Sequence, residues 1–409
     1  MKIIGFAEGA WGEYPGIVST PTILGSTAAL GHNAVLVMGG RVIPGRERFV
    51  VPDSESALQR KEKNGTFGIV CIPAWTRWAI NPAMFWRFSR LVRDADFVSL
   101  HSLYSFPVLA GFLLARFHRK PYGVWPHGVL APFQRRISAR KKWVHNKLFA
   151  DRILRNASVI FFSATGEREE TADLGFNTPS VIIPDGFDAD EFSVLPERGR
   201  FRDRFFKGHT GPLVLFLARL APKKGLDLLA KIMQRVIAQR PDVRLAIVGP
   251  PDPASFNEQV VQWVKESGIE RQTVMTGGAG PQMRLEAFAD ADVYVLPSHE
   301  ENFGFSVFEA MACGIPVVVS ETLNYAAEIA RNGAGFALPR SPEEFSSAIV
   351  SLIDQPEQRR KMGSDGRLLA RQYPLEDTGA KVAKTVECIL HRRPFSNDLA
   401  GIADIGARS

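Results

Sequence analysis

Short unbroken apolar runs alternate with amphipathic segments along this chain, and the alternation occurs twice. Apolar runs of roughly four to eight residues bounded by turn-forming residues read as strands buried on both faces, the habit of parallel sheets. In the first half they lie at Lys2 to Phe6, Asn33 to Met38, Ile69 to Ile72, Phe97 to Leu100, Tyr122 to Trp125, Val159 to Phe162 and Ser180 to Ile183. In the second half they lie at Leu213 to Ala218, Val243 to Val248, Thr273 to Met275, Val293 to Leu296 and Pro316 to Val319, with the longest helical pattern at Gly225 to Gln239. Strand and helix in alternation predict an α/β protein built from two Rossmann-like, doubly wound parallel-sheet domains facing a central cleft. The polar, proline-bounded stretch Leu195 to Pro212 divides them, which sets domains at 1–195 and 196–374. Beyond about Pro394 no ordered structure is expected.

A chain of 409 residues with 45% hydrophobic content can fill two such cores. Its three cysteines, Cys71, Cys313 and Cys388, show no paired spacing, so neither a disulfide framework nor a zinc site is suggested and a reducing cytoplasm fits. Met1 runs directly into the strand-like KIIGFA, so a secretory leader is not expected. The longest apolar run, Phe106 to Ala115, is too short to span a bilayer.

The formal charge of +7 resides in residues 1–200, with 25 basic against 18 acidic side chains; residues 201–409 hold 25 of each. Residues 101–150 carry nine basic side chains and no acidic one. Within 135–155, Arg135, Arg136, Arg140, Lys141, Lys142 and Lys147 interleave with Trp143, Leu148 and Phe149. This basic amphipathic stripe suits an anionic membrane surface, an ordinary solvated helix face being the alternative. No nucleic-acid-reading motif accompanies the charge.

Candidate chemistry concentrates in PSHEENFGFSVFEAMACGIPVVVS, Pro297 to Ser320, where a strand runs into a loop and a helix begins near Ser306. Gly304 gives the backbone freedom to approach a ligand, and unpaired N–H groups at a helix start attract phosphate. Eight helical residues would set Glu301 and Glu309 roughly 12 Å apart, which suits two ends of one extended ligand better than a shared proton. Arg219 and Lys224, in LARLAPKKGLDLL, follow a strand and precede a helix, where a guanidinium fork and an ammonium can share the oxygens of a diphosphate. The triplets Asp94 to Asp96, Asp188 to Asp190 and Asp290 to Asp292 have the D-x-D form that holds a metal in other folds, but they sit at turns and helix-to-strand junctions, and no metal is expected on them.

With these motifs in hand, the chain resembles the retaining family 4 glycosyltransferases of GT-B fold. The resemblance rests on the E-x7-E spacing of Glu301 and Glu309 in ENFGFSVFEAMACGIPVV, on ARLAPKKGLDLL, on IVGP at Ile247 to Pro250, on IPDGFD at Ile183 to Asp188 and on PHG at Pro126 to Gly128, all in the family's order. It implies a sugar moved from a nucleoside diphosphate to an acceptor hydroxyl with retention. GDP-mannose or a UDP-hexose is the implied donor, and a lipid-linked or growing bacterial polysaccharide, at the cytoplasmic face of the membrane, the implied acceptor. Arg219 and Lys224 would hold the diphosphate, Glu309 the ribose and Glu301 the transferred sugar. Gly16, Gly249 and the backbone of Asn302, Phe303, Gly304, Phe305 and Ser306 would complete the donor pocket, and His127 would reach the sugar near the reacting carbon. His101 and Tyr104 are acceptor-side candidates. The family also implies no cofactor and no metal, and a last helix at about 375–391 that crosses back to the first domain. Two departures stand out: the loop around Gly16 lacks the usual adjacent glycines, and Asp185 occupies a position where Asn is usual. An epimerase or hydrolase of the same fold, or a non-enzymatic nucleotide-binding protein, shares much of this pattern.

Overall fold

The computed structural model describes residues 1–8, 19–40, 58–61, 65–73, 78–136 and 145–395. It divides into two compact units, Met1–Phe187 with Pro374–Ser409, and Asp188–Tyr373. The chain therefore leaves the first unit at Phe187 rather than at 195. The cause lies in the polar stretch expected to be a linker. It contains the helix Arg200–Phe206, whose Phe201 and Arg202 are buried in the second unit. Asp290 accepts from the amides of Gly199 (2.5 Å) and Arg202 (2.8 Å), and Asp292 accepts from Arg198 (2.7 Å) and Arg202 (2.8 Å). Two acids of the D-x-D triplet Asp290 to Asp292 thus hold a helix in place. Asp188 caps the turn Ala189–Phe192, and Asp94 pairs with Arg93.

Unit 1 is an eight-stranded sheet: β1 Lys2–Ala7, β2 Asn33–Gly40, β3 Leu58–Lys61, β4 Thr66–Pro73, β5 Phe97–His101, β6 Tyr122–Trp125, β7 Val159–Phe162 and β8 Ser180–Ile182. The order is β3-β4-β2-β1-β5-β6-β7-β8, parallel except for β3, which pairs antiparallel with β4. All seven expected strands form; β3 was not expected. Strands β5, β6 and β7 are buried throughout, because helices cover both faces. One face packs Phe6, Val98, Leu100, Val108 and Val124; the other packs Ile23, Leu36, Phe97, Phe161, Val382 and Val386. Val382 and Val386 belong to the helix Leu375–Leu390, which docks in unit 1 as expected. It lies so close to the helix Ser19–Ala29 that a Cβ on Gly379 would stand 2.6 Å from the Ser26 carbonyl carbon. The region expected to lack order begins near the end of the described residues; 396–409, Gly16 and 137–144 of the basic stripe lie outside them. Among the described residues no helix is long and apolar enough to cross a membrane.

Unit 2 carries six parallel strands, β9 Leu213–Leu217, β10 Arg244–Val248, β11 Thr273–Gly277, β12 Val293–Leu296, β13 Val317–Ser320 and β14 Gly335–Leu338, in the order β11-β10-β9-β12-β13-β14. Only the short, half-buried β14 escaped the sequence pattern. The chain winds outward in opposite directions from β9 and β12, so the loops after these strands flank the point where α/β sheets bind ligands. The same reversal in unit 1 lies at β1 and β5.

The Gly379 contact carries an expected outcome. Gly379→Val should force the Ser19–Ala29 and Leu375–Leu390 helices apart and lower the unfolding free energy by about 1–3 kcal/mol, measured by urea denaturation.

Candidate active site

The loop after β9 ends in a short turn, Pro222–Lys224, and Gly225 then turns left-handed (φ +70°) to start the helix Leu226–Gln239. A side chain on Gly225 would strike the Pro297 carbonyl. This close approach brings the loops after β9 and β12 together, and it delivers Lys224 Nζ to 2.5 Å from Glu301 Oε1. Ser298 Oγ donates to the same oxygen at 2.9 Å. Both ions are nearly buried, with side chains 12% and 8% exposed. Burial works to raise the Glu301 carboxyl, but the Lys224 and Lys223 charges outweigh it and hold the carboxyl below the usual range. Burial draws the Lys224 ammonium down, with Glu301 opposing.

The β12 loop then runs to Gly304, left-handed at φ +76°, and the helix Phe305–Ala312 begins. Phe303 is not turned towards a ligand. Its ring stacks on Phe308 at 4.1 Å and meets Tyr325 and Tyr373 edge-on, which pins the loop from beneath. What the loop presents is main chain: among the described residues the amides of Phe305 and Ser306 find no carbonyl acceptor, as expected at a helix start. The Ser306 hydroxyl is engaged with Tyr294 at 2.7 Å.

One helical turn on, Glu309 has its side chain 13% exposed and accepts from Arg284 at 3.2 Å. Burial pushes its carboxyl up to about 7, with Arg284 opposing and Glu191 adding to the rise. Arg284 also binds Glu191 at 2.7 Å and lies over the Phe192 ring. Arg219 is not directed at Lys224; it forms an ion pair with Asp252 on the loop after β10. Both partners are more than 40% exposed, so the pair is weak and exchangeable. The Gly249 amide is spent on the Gly277 carbonyl (2.8 Å), and a side chain there would strike Ala218, so this glycine serves strand packing.

In unit 1 the ends of β5 and β6 form a second cluster. His127 and Gly128 are both left-handed (φ +51° and +74°), the former at some cost in strain. His127 Nε2 lies 3.0 Å from His101 Nδ1, and His101 Nε2 lies 2.9 Å from Ser99 Oγ. Both imidazoles stack against Trp125 at 5.9 Å. Burial pushes His127 down to about 3, and burial followed by His127 pushes His101 well below its ordinary value, so both are neutral at pH 7. His101, expected on the acceptor side, is fully buried and contacts His127 rather than solvent. Tyr104 is half-buried against His145 and likewise faces the protein. The turn is anchored by Glu167, absent from the sequence reading, whose carboxylate accepts from the Gly128 amide (2.7 Å) and from Ser163 N and Oγ (2.8 and 2.9 Å). Asp185 is buried, and burial with the Glu167 charge pushes it up to about 8. Protonated at pH 7, it offers one donor and one acceptor edge, as the usual Asn does.

Two family models match in sequence order: residues 26–191 match Glycosyltransferase Family 4 and residues 197–369 match Glycosyl transferases group 1. The chain belongs to the group 1, family 4 glycosyltransferases. It is 29% identical to the D-inositol 3-phosphate glycosyltransferase of Segniliparus rotundus over 48% of this chain and 44% of that one. It is 27% identical to the protein of the same name from Kineococcus radiotolerans over 61% and 59%. The chain thus spans about half the length of these curated relatives. Anabaena Alr3699/HepE, solved in complex with UDP-glucose, superposes with a TM-score of 0.75 at 17% identity over 95% of this chain and 99% of that one, and the fold is GT-B. The Glu301 and Glu309 pair sits on the β12 loop and the following helix. Arg284, Asp252, Ser298 and Glu167 are contacts that no local spacing signalled.

Two outcomes follow. Lys224→Met strands a buried carboxylate, so it should cost about 3–5 kcal/mol in urea denaturation, and the double variant with Glu301→Gln should recover much of that. Glu309 in the folded chain keeps its proton up to about pH 7, whereas an ordinary glutamate releases it near 4.5. The folded state therefore binds more protons in that window, and its contribution to stability falls as pH rises from 4.5 to about 7. Glu309→Gln should remove that slope from the difference curve.

Proposed function

We propose that this protein is a retaining glycosyltransferase that moves a sugar from a nucleoside-diphosphate sugar, GDP-mannose or a UDP-hexose, to a hydroxyl of a lipid-linked or growing polysaccharide at the cytoplasmic face of the membrane. The observation that carries it is the Lys224–Glu301 pair set beside the amides of Phe305 and Ser306, which find no carbonyl acceptor among the described residues. In this reading the ammonium and the helix start take the diphosphate, and Arg219 exchanges Asp252 for a phosphate oxygen. Glu301 takes sugar hydroxyls and Glu309 those of the ribose. The neutral His127 offers Nδ1, held by Ser19 at a long 3.4 Å, to a hydroxyl of the transferred sugar.

As the sugar–phosphate bond breaks, negative charge grows on the leaving diphosphate. In this reading Lys224 and Arg219 stabilise it, and no divalent metal is required. The acceptor oxygen forms the new bond on the face the diphosphate leaves, and its proton passes to the departing phosphate oxygen. Glu301 is already committed to Lys224 and Ser298, which suits a positioning acid better than a base.

In a differential thermal-shift and turnover assay, UDP or GDP species should stabilise the wild type, by about 2.7 kcal/mol at 100 times the dissociation constant. Lys224→Ala, measured under conditions where it remains folded, should lose that shift and about 100- to 1,000-fold in sugar transfer. Full activity in chelator is also expected. Conversion of the nucleotide sugar without any acceptor would instead favour the epimerase or hydrolase reading, and turnover unchanged in Lys224→Ala would refute the site.

A further inference from the structure

The helices Ala83–Asp94 and Phe106–Phe117 pack side by side in unit 1. Met84, Phe88 and Val92 of the first and Val108, Phe112 and Ala115 of the second are buried. Their outer sides carry large apolar side chains in water: Phe117 is 78% exposed, Trp86 69% and Leu113 41%. The two helices meet at this surface. Ser89 Oγ lies 2.8 Å from His118 Nε2, and the His118 ring meets Phe117 edge-on at 4.9 Å. Trp86 and Arg93 flank Ser89 at helical spacings of three and four, with Arg90 beside it, so Trp86 and Phe117 share one face.

Six cations accompany them: Arg87, Arg90 and Arg93 on the first helix, and Arg116, Arg119 and Lys120 at the end of the second. Among the described residues the carboxylates beside them are Asp94, which pairs with Arg93 at 3.2 Å and Arg90 at 3.9 Å, and Asp96, which accepts from the Lys2 amide. Exposed aromatic rings interleaved with basic groups on one face mark a membrane-surface contact. A protein interface gathers its apolar groups into a charge-depleted centre, whereas here the rings stand singly among guanidinium groups. That arrangement fits the boundary of an anionic bilayer, where a ring enters below the headgroups and the cations stay with the phosphates.

We propose that this face docks unit 1 on an anionic lipid surface. It includes three of the nine basic residues of 101–150 and shifts the membrane contact away from the stripe at 135–155. Among the described residues there, Arg135 pairs with Asp173, Arg152 with the Leu148 carbonyl and Arg155 with the Gly175 carbonyl.

The test titrates the full chain with vesicles of phosphatidylcholine containing about one third phosphatidylglycerol, and with phosphatidylcholine alone, reading sedimentation and tryptophan emission. Binding to the first and not the second, with a blue-shifted emission, is expected. Each basic side chain near such a surface contributes roughly five-fold, so Arg87→Glu, Arg90→Glu and Arg116→Glu together should weaken binding about 100-fold. Trp86→Ser with Phe117→Ser should abolish the blue shift and weaken binding roughly ten-fold. The replaced side chains are exposed, so both variants should melt like the wild type and keep any nucleotide-induced shift. That shift reports unit 2, so its failure would count against the donor reading alone. No wild-type binding to anionic vesicles, or unaltered binding by both variants, overturns the proposal. So does binding that only the charge reversals remove and that heparin matches, which would mark a polyanion surface.

Discussion

The buried ion pair between Lys224 and Glu301 is the constraint around which unit 2 is arranged. Two charges withdrawn from water are tolerated when they meet closely, and here they meet at 2.5 Å, with the Ser298 hydroxyl donating to the same carboxylate oxygen. That contact requires the loops after β9 and β12 to touch, which Gly225 permits by turning left-handed without a side chain against Pro297. The aromatic cluster under Phe303 then fixes the direction of the second loop, and the helix start at Phe305 inherits its position from both.

The electrostatic consequence is a site prepared before any ligand arrives. An ammonium already oriented by a carboxylate need not be reorganised when an anion arrives, and preorganised charge is more effective than mobile charge. Arg219 differs in kind: its pairing with Asp252 is exposed and exchangeable. Unit 1 shows the opposite solution at the equivalent place in its sheet. His101 and His127 are kept neutral by burial and ordered by a hydrogen-bonded chain that starts at Ser99. One unit thus offers charge and the other a neutral, fixed imidazole.

The strands were legible because parallel strands covered on both faces leave unbroken apolar runs; β3 and β14 were not, being four-residue edge strands. The Glu301 and Glu309 positions were legible from a local spacing, because both lie on one loop and the helix it starts. Arg284 and Asp252 were hidden because they reach the site from other segments, 25 residues before Glu309 and 33 beyond Arg219. The burial of His101 was not legible for a related reason: Trp125 and His127, which cover it, come from another strand and the turn after it. The boundary moved from 195 to 187 because charge in 195–212 suggested a linker, while Asp290 and Asp292, 90 residues away, give that charge a buried role.

The most direct test of the account is a crystal structure of the protein soaked with UDP. The account requires the diphosphate to lie at the start of the helix Phe305–Ala312, with phosphate oxygens within hydrogen-bond distance of Lys224 Nζ and of the Phe305 or Ser306 amide, and a ribose hydroxyl on Glu309. A nucleotide bound elsewhere, or one whose phosphates leave Lys224 and that helix start uncontacted, would contradict it.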